Sequence, residues 1–366
     1  MSDPNEYDTL SCDVYLQKNN SNPHLFRANL QADSLRVDSL EFDCEYFWQV
    51  IVRDQRNLQK EGPVWSFRTR VEHNNPPKIP ANPIPQNHQQ DVKICDVNFS
   101  WTGGDPDTFS IVEYDVLWGT KQDSLQPLMV NLPDTAFALS LLPFDRKFYW
   151  QVTARDEYES EQVGPVWDFT TEKGSLVFWE PFDTYPQNEK PPVPPWTIAD
   201  SANAIYITSE TSYDEQGNSL CFIDSTELGY GFIAAHFAPM DVGMISFYWK
   251  VSNAADYFGL RLYSSVADTA HLGPQISIRE GKMEFFAQSR IWENISVVEP
   301  GAWYLVEVVF SCEKKVFQVF VNGELKAQNA TWIGSTVPSI DSIYFMTFKN
   351  RVCERGYVDE IKVIKQ

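Results

Sequence analysis

Basic side chains are scarce in this sequence, and histidine scarcer still. Lys and Arg number 29 against 50 Asp and Glu, a net charge of -21, and there are five His in 366 residues. A chain this acidic repels phosphate backbones, which excludes general nucleic-acid binding and disfavours anionic membrane surfaces. Long apolar runs are missing as well. None approaches the roughly 18–20 residues of a membrane span. No two of the six Cys form a C-x-x-C pair, so zinc ribbons and dithiol redox motifs are out. The G-x-S-x-G, H-E-x-x-H, Walker and G-x-G-x-x-G signatures are all lacking. The five His are dispersed, with no Asp or Cys at useful spacing, and read as solvated or structural. The N-terminus, MSDPNEYDTL, has neither the basic region nor the apolar stretch of a signal peptide.

What is abundant is aromatic and apolar. Aromatics make up 14% and hydrophobic residues 43%, enough for packed cores and too much for a disordered chain. An internal repeat organises the first half. FWQVIVRD ends at Asp54 and FYWQVTARD at Asp156; EGPVWSFRT ends at Thr69 and VGPVWDFTT at Thr171, always at an offset of 102. In the second copy VNFSW (97–101), EYDVLW (113–118), FYWQVTA (148–154) and VWDFTT (166–171) have the β-branched and aromatic content of strands, and TGGDPD (102–107) is a turn cluster. A period near 100 residues with short strands predicts a β-sandwich.

These segments, with NNPPKIPANPIP ahead of them, resemble the fibronectin type III repeats of bacterial surface and secreted proteins. The resemblance places a partial repeat at 1–72 and a complete one at 73–172. The first copy begins at the counterpart of Gly103 or Gly104 and so lacks the segment that in the family holds the first two strands. The reading is a truncated copy with one apolar sheet face bare, with a degenerate first repeat as the alternative, and a secretory leader upstream of Met1 is expected. Cys12 aligns with Tyr114 and Cys44 with Arg146. On antiparallel neighbours the two thiols would sit roughly 15 Å or more apart along the ladder, beyond the ~7 Å Cα reach of a disulfide. Most Cys are therefore expected as small buried hydrophobes.

After Thr171 the repeat stops, and EKGS reads as a short polar joint. The rest is dense in strand patterns, among them MISFYWKV, YFGLRLYS, WYLVEVVFS, VFQVFV and GYVDEIKVI, and Asn322-Gly323 is a two-residue hairpin signal. No segment has helical periodicity over three turns. EPFDTYPQNEKPPVPPWTI (180–198), GAWYLVEVVFSCEKKVFQVFVNGEL (301–325) and GYVDEIKVI (356–364) resemble the opening strand, central hairpin and closing strand of laminin-G-like or concanavalin A-like modules. The expected fold class is therefore all-β: tandem immunoglobulin-like (fibronectin type III) sandwiches followed by a concanavalin A-like jelly roll at 175–366.

The resemblance implies a structural Ca²⁺ joining the opening strand to an Asp on the closing strand. The matching positions are Glu180, Asp183 and Asp359, whose plain alternative is solvated charge on an acidic surface. Aromatic side chains can stack on the C–H faces of sugars. The candidates are Trp292, Trp332, Tyr257 and Tyr263, with core or edge packing as the alternative; Trp249, inside an apolar strand, reads as core. The E-x-D-x-x-E run of laminarinase-like glycosidases, which share the fold, is absent, and adjacent Asp359 and Glu360 on a strand point to opposite faces. The expectation is a non-catalytic, secreted or cell-surface binding protein: repeats as spacers, a terminal domain that binds polysaccharide or a surface protein. The rival is the accessory C-terminal part of a secreted carbohydrate-active enzyme.

Overall fold

The computed structural model describes residues 9–56, 58–70, 72–200, 205–224, 230–265, 271–333, 337–348 and 351–366. Among these residues every regular element is a strand, which follows from period-two alternation without helical periodicity. No helix among them is long and apolar enough to cross a membrane. Contacts divide the chain into two compact units. One is Met1–Ile79 with Gly103–Glu113 and Ala154–Gln162; the other is Pro80–Thr102, Tyr114–Thr153 and Val163–Gln366.

The first unit holds β1 (Ser11–Lys18), β2 (His24–Leu30), β3 (Glu45–Arg53), β4 (Gln59–Glu61) and β5 (Trp65–Arg68). They form one sheet in the order β2-β1-β3-β4, with β5 also on β3. Cys12 lies opposite Val52, far along the β1–β3 ladder from Cys44. All six Cys are free thiols, five of them buried. Val14, Leu16, Trp48, Val50, Trp65 and Phe67 line an open cleft of about 870 Å³ on one face of this sheet. Their counterparts at the 102-residue offset, Val116, Trp118, Trp150, Val152, Trp167 and Phe169, are all buried.

Next in the chain, mostly within the second unit, come β6 (Ala81–Ile84), β7 (Gln89–Val92), β8 (Cys95–Thr102), β9 (Val112–Gly119), β10 (Gln126–Leu132), β11 (Ala136–Leu141), β12 (Lys147–Asp156), β13 (Glu161–Val163) and β14 (Trp167–Thr171). A sheet ordered β10-β9-β12-β14-β7 faces a three-stranded one ordered β11-β8-β6. Phe99 and Trp101 of β8 pack edge-on against Trp150 of β12, at 5.2 and 6.4 Å between ring centroids.

The unit continues through β15 (Ser175–Glu180), β16 (Trp196–Asp200), β17 (Ile205–Thr208), β18 (Ser219–Asp224), β19 (Gly231–Met240), β20 (Val242–Val251), β21 (Phe258–Ser264), β22 (His271–Arg279), β23 (Lys282–Phe286), β24 (Trp292–Val297), β25 (Tyr304–Ser311), β26 (Val316–Val321), β27 (Glu324–Ala330), β28 (Ile340–Thr347) and β29 (Cys353–Lys365). Two sheets form. One runs β17-β18-β29-β20-β25-β26-β27, with β15 also on β29; the other runs β16-β19-β28-β21-β22-β23-β24. Their inner faces share one core that includes Trp196, Phe247, Trp249, Phe258, Phe317 and Phe345. The stretch expected as a polar joint is packed: Glu172 is buried and bonded to Lys93 and Gln366. Beside it Trp118 and Phe148 lie against Phe320, and Arg146 donates to Glu307 at 2.6 Å.

Candidate functional site

The three expected metal carboxylates have different surroundings. Glu180, at the end of β15, is buried, and its oxygens accept from the Phe182 amide at 2.8 Å, the Tyr185 hydroxyl at 2.5 Å and the Trp196 indole at 3.2 Å. Burial first, then Glu180, pushes the Tyr185 hydroxyl up to about 12. Three donors leave Glu180 little capacity for a cation. Asp183 is exposed and accepts the Asn218 amide at 2.9 Å. Asp359 is buried in β29, and its oxygens accept the Tyr213 amide at 2.9 Å and the Glu360 amide at 2.8 Å. Burial above all, then the charges of Asp183 and Glu360, pushes its carboxyl up to about 7. Asp183 and Asp359 thus lie within electrostatic reach of each other, while three donors already occupy Glu180. Among the described residues no group of three or more His, Cys, Asp or Glu is arranged to hold a metal.

One of the four expected ring platforms is corrected. Trp332 is 3% exposed and sits at 6.2 Å from Phe317 inside the core, because the segment after β27 turns inward. It is not available to a ligand. The other three lie on the outer face of the seven-stranded sheet. That face arises from alternation: in β21 Phe258, Leu260 and Leu262 point into the core, which sends Gly259, Arg261 and Tyr263 outward. In β28 the same rule buries Ile343 and Phe345 and exposes one side of Tyr344.

At the face's far edge Trp292 of β24 stands opposite Phe286 of β23, ring centroids 5.0 Å apart. The Arg279 guanidinium lies 4.8 Å from the Trp292 ring and 5.8 Å from Tyr257. The Arg351 guanidinium lies over the Tyr257 ring as well, 4.8 Å from its centroid, and the Tyr257 hydroxyl donates to Glu280, which is the leading cause of its raised pKa. Tyr257, Ser277, Arg279, Trp292, Phe348 and Arg351 enclose a cleft of about 270 Å³. The outer edge of the Phe348 ring reaches Gly259, where a Cβ would meet it at 2.4 Å, so any larger residue there would displace the ring. Arg261 continues the row, 5.8 Å from Phe348 and donating to the Tyr263 hydroxyl at 3.4 Å, and Tyr263 meets Tyr344 edge-on at 4.6 Å. From β28 to β24 the row crosses four strand spacings, about 19 Å.

The sequence reading missed Arg261, Arg279, Arg351, Phe348, Tyr344 and Phe286. A signal existed for the first two: arginine at the outward positions of the alternating strands GLRLYS and QISIRE in an otherwise acidic chain. Phe348 and Arg351 follow a strand and are brought to the face only by the fold.

No known sequence family matches the chain, and neither does any curated protein. Among solved structures, a sialidase is similar at 12% identity over 88% of this chain and 31% of its own, with a TM-score of 0.42. This chain therefore spans about a third of the sialidase's length. Domain 4 of AbnA, a GH43 extracellular arabinanase from Geobacillus stearothermophilus, in complex with arabinotriose, is similar at 14% identity, covering 53% and 94%, with a TM-score of 0.37. The family 11 carbohydrate-binding module from Clostridium thermocellum is similar at 18% identity, covering 52% and 98%, with a TM-score of 0.30. All three TM-scores are low, and what the face does is read from its own geometry.

Proposed function

We propose that the protein binds polysaccharide on the outer face of the seven-stranded sheet, without catalysis. The observation that carries this is the row of rings and guanidinium groups ending in the cleft between Tyr257 and Trp292. Flat rings offer C–H stacking surfaces, and the bordering arginines supply hydrogen bonds to hydroxyls, the combination an extended sugar chain needs. The two carboxylates beside the cleft already have partners: Glu280 takes the Tyr257 hydroxyl and Glu284 pairs with Arg279 at 3.5 Å. Neither is placed as a free acid or base, which favours binding over hydrolysis. In this reading residues 73–172, and the partial copy before them, are fibronectin-like spacers, the following domain is a jelly roll, and the protein works outside the cell. The calcium belongs to the same reading, with Asp183 and Asp359 as its carboxylates.

Affinity electrophoresis of the full chain through gels containing plant and microbial polysaccharides tests the site. Retardation by at least one polymer is expected, and Trp292→Ala and Tyr257→Ala should each weaken it about tenfold, as for the loss of one ring that stacks on its ligand. Retardation that both variants retain in full would place the binding elsewhere.

A further inference from the structure

We propose that the polymer held by this face is an acidic polysaccharide, its sugar carboxylates taken by Arg261, Arg279 and Arg351; the inference rests on the binding role proposed above. The chain as a whole has 29 cations against 50 anions, so three arginines along one row of rings reverse the local balance. Among the described residues, the carboxylates bonded at the cleft are Glu280, on the Tyr257 hydroxyl, and Glu284, on Arg279. Arg279 is shared with Glu284, whereas no ion pair among the described residues engages Arg261 or Arg351.

The rings hold these cations in place. Arg261 lies over Phe348 and Arg351 over Tyr257. A guanidinium resting on an aromatic face keeps its N–H edge for a planar anion, and a carboxylate accepts that edge through two parallel hydrogen bonds. The pairs Arg351–Tyr257 and Arg279–Trp292 border the cleft of about 270 Å³, and Arg261 lies further along the row. A chain with a carboxylate on every sugar can meet these positions in succession. A neutral glycan would leave Arg261 and Arg351 without an anion, and the negative charge elsewhere on the protein would gain nothing by their grouping.

Calorimetry on the full chain with polygalacturonate, the same polymer fully methyl-esterified, galacturonate monomer and a neutral mixed-linkage glucan tests this. Polygalacturonate should bind tightest, esterification should weaken binding at least about tenfold, and added salt should weaken the acidic polymer selectively. Arg261→Gln and Arg351→Gln should each cost about tenfold against polygalacturonate and little against its ester. Arg36→Gln, at an arginine whose side chain is 90% exposed far from this face in sequence, should change nothing. Equal affinity for the acid and its ester, or tighter binding of the glucan, overturns the acidic ligand and leaves the glycan site standing. Monomer binding as tight as the polymer's, residue for residue, also overturns it, because a small-anion site needs no row. Binding of none of the four overturns the acidic ligand, and the glycan site then stands or falls on the polysaccharide gels.

Discussion

Trp150 and Trp167 lie 4.8 Å apart between ring centroids, and Trp48 and Trp65, their counterparts 102 positions earlier, lie 4.6 Å apart. The cross-strand pairing is the same in both places, Trp150 against Trp167 and Trp48 against Trp65. The surroundings differ. Trp150 is 0% and Trp167 4% exposed, while Trp65 is 42% exposed above the open cleft. Local sequence sets the pair, but the burial that gives it energy comes from β8 across the sandwich. Trp150→Ala should therefore cost roughly 3–5 kcal/mol of unfolding free energy, the range for a fully buried large aromatic. Trp48→Ala should cost less than half as much, since the space it vacates already opens to water. Urea denaturation followed at a probe within each repeat reads the two values, and equal costs would mean that the first face is covered in solution.

At the scale of elements, two features of the last sheets follow from particular residues. Asn322 and Gly323 both have positive φ, 52° and 81°, as the two-residue turn joining β26 to β27 demands, and this hairpin is legible in the sequence. The long strand β29 is different. Its pairing with β20 slips between Asp359 and Lys362, and Glu360 has a φ of 50°. The extra residue is a bulge, and bulges re-aim side chains. Asp359 ends buried, facing Tyr213 and within electrostatic reach of Asp183. If calcium occupies this place, millimolar Ca²⁺ should raise the melting temperature above that in chelator. A hundredfold excess over Kd is worth about 2.7 kcal/mol. Asp359→Asn should remove the difference, and sodium chloride of matched ionic strength should not reproduce it. Equal shifts with calcium and sodium would leave surface screening as the whole effect.

At the scale of the molecule, the joint between residues 80–171 and the last two sheets is a packed surface. Phe320, on the outward side of β26, meets Trp118 and Phe148, and Glu307 of β25 is buried there with Arg146 as its partner. Burial raises the Glu307 pKa and the Arg146 charge opposes that rise. A carboxyl whose folded pKa is raised binds protons more readily folded than unfolded, so its contribution to stability falls as pH rises through the folded pKa. Arg146→Gln removes the opposing charge. The variant should lose about 2–3 kcal/mol near pH 8, below the full cost of breaking a buried pair because Arg146 is partly exposed. The loss should shrink towards about pH 5, as Glu307 takes up a proton. Paired urea titrations of parent and variant at the two pH values measure this, and a pH-independent difference would show that Glu307 is not desolvated by the joint.

The sequence alone determined what repeats and alternates. Strand content, the 102-residue copy, the hairpin at Asn322-Gly323 and the core role of Trp249 are all local patterns, and period-two alternation carries them because one face of each strand must leave water. The tertiary structure decided which outward faces become sites. Tyr257, Arg279, Trp292 and Arg351 come from separate strands and connecting segments, and only the order β28-β21-β22-β23-β24 sets them around one cleft. Trp332 has the composition of a surface loop around it, yet the direction of the chain after β27 puts it against Phe317. Such meetings depend on strand order and loop path, which are set by the packing of the whole core and leave no mark on neighbouring residues in the chain.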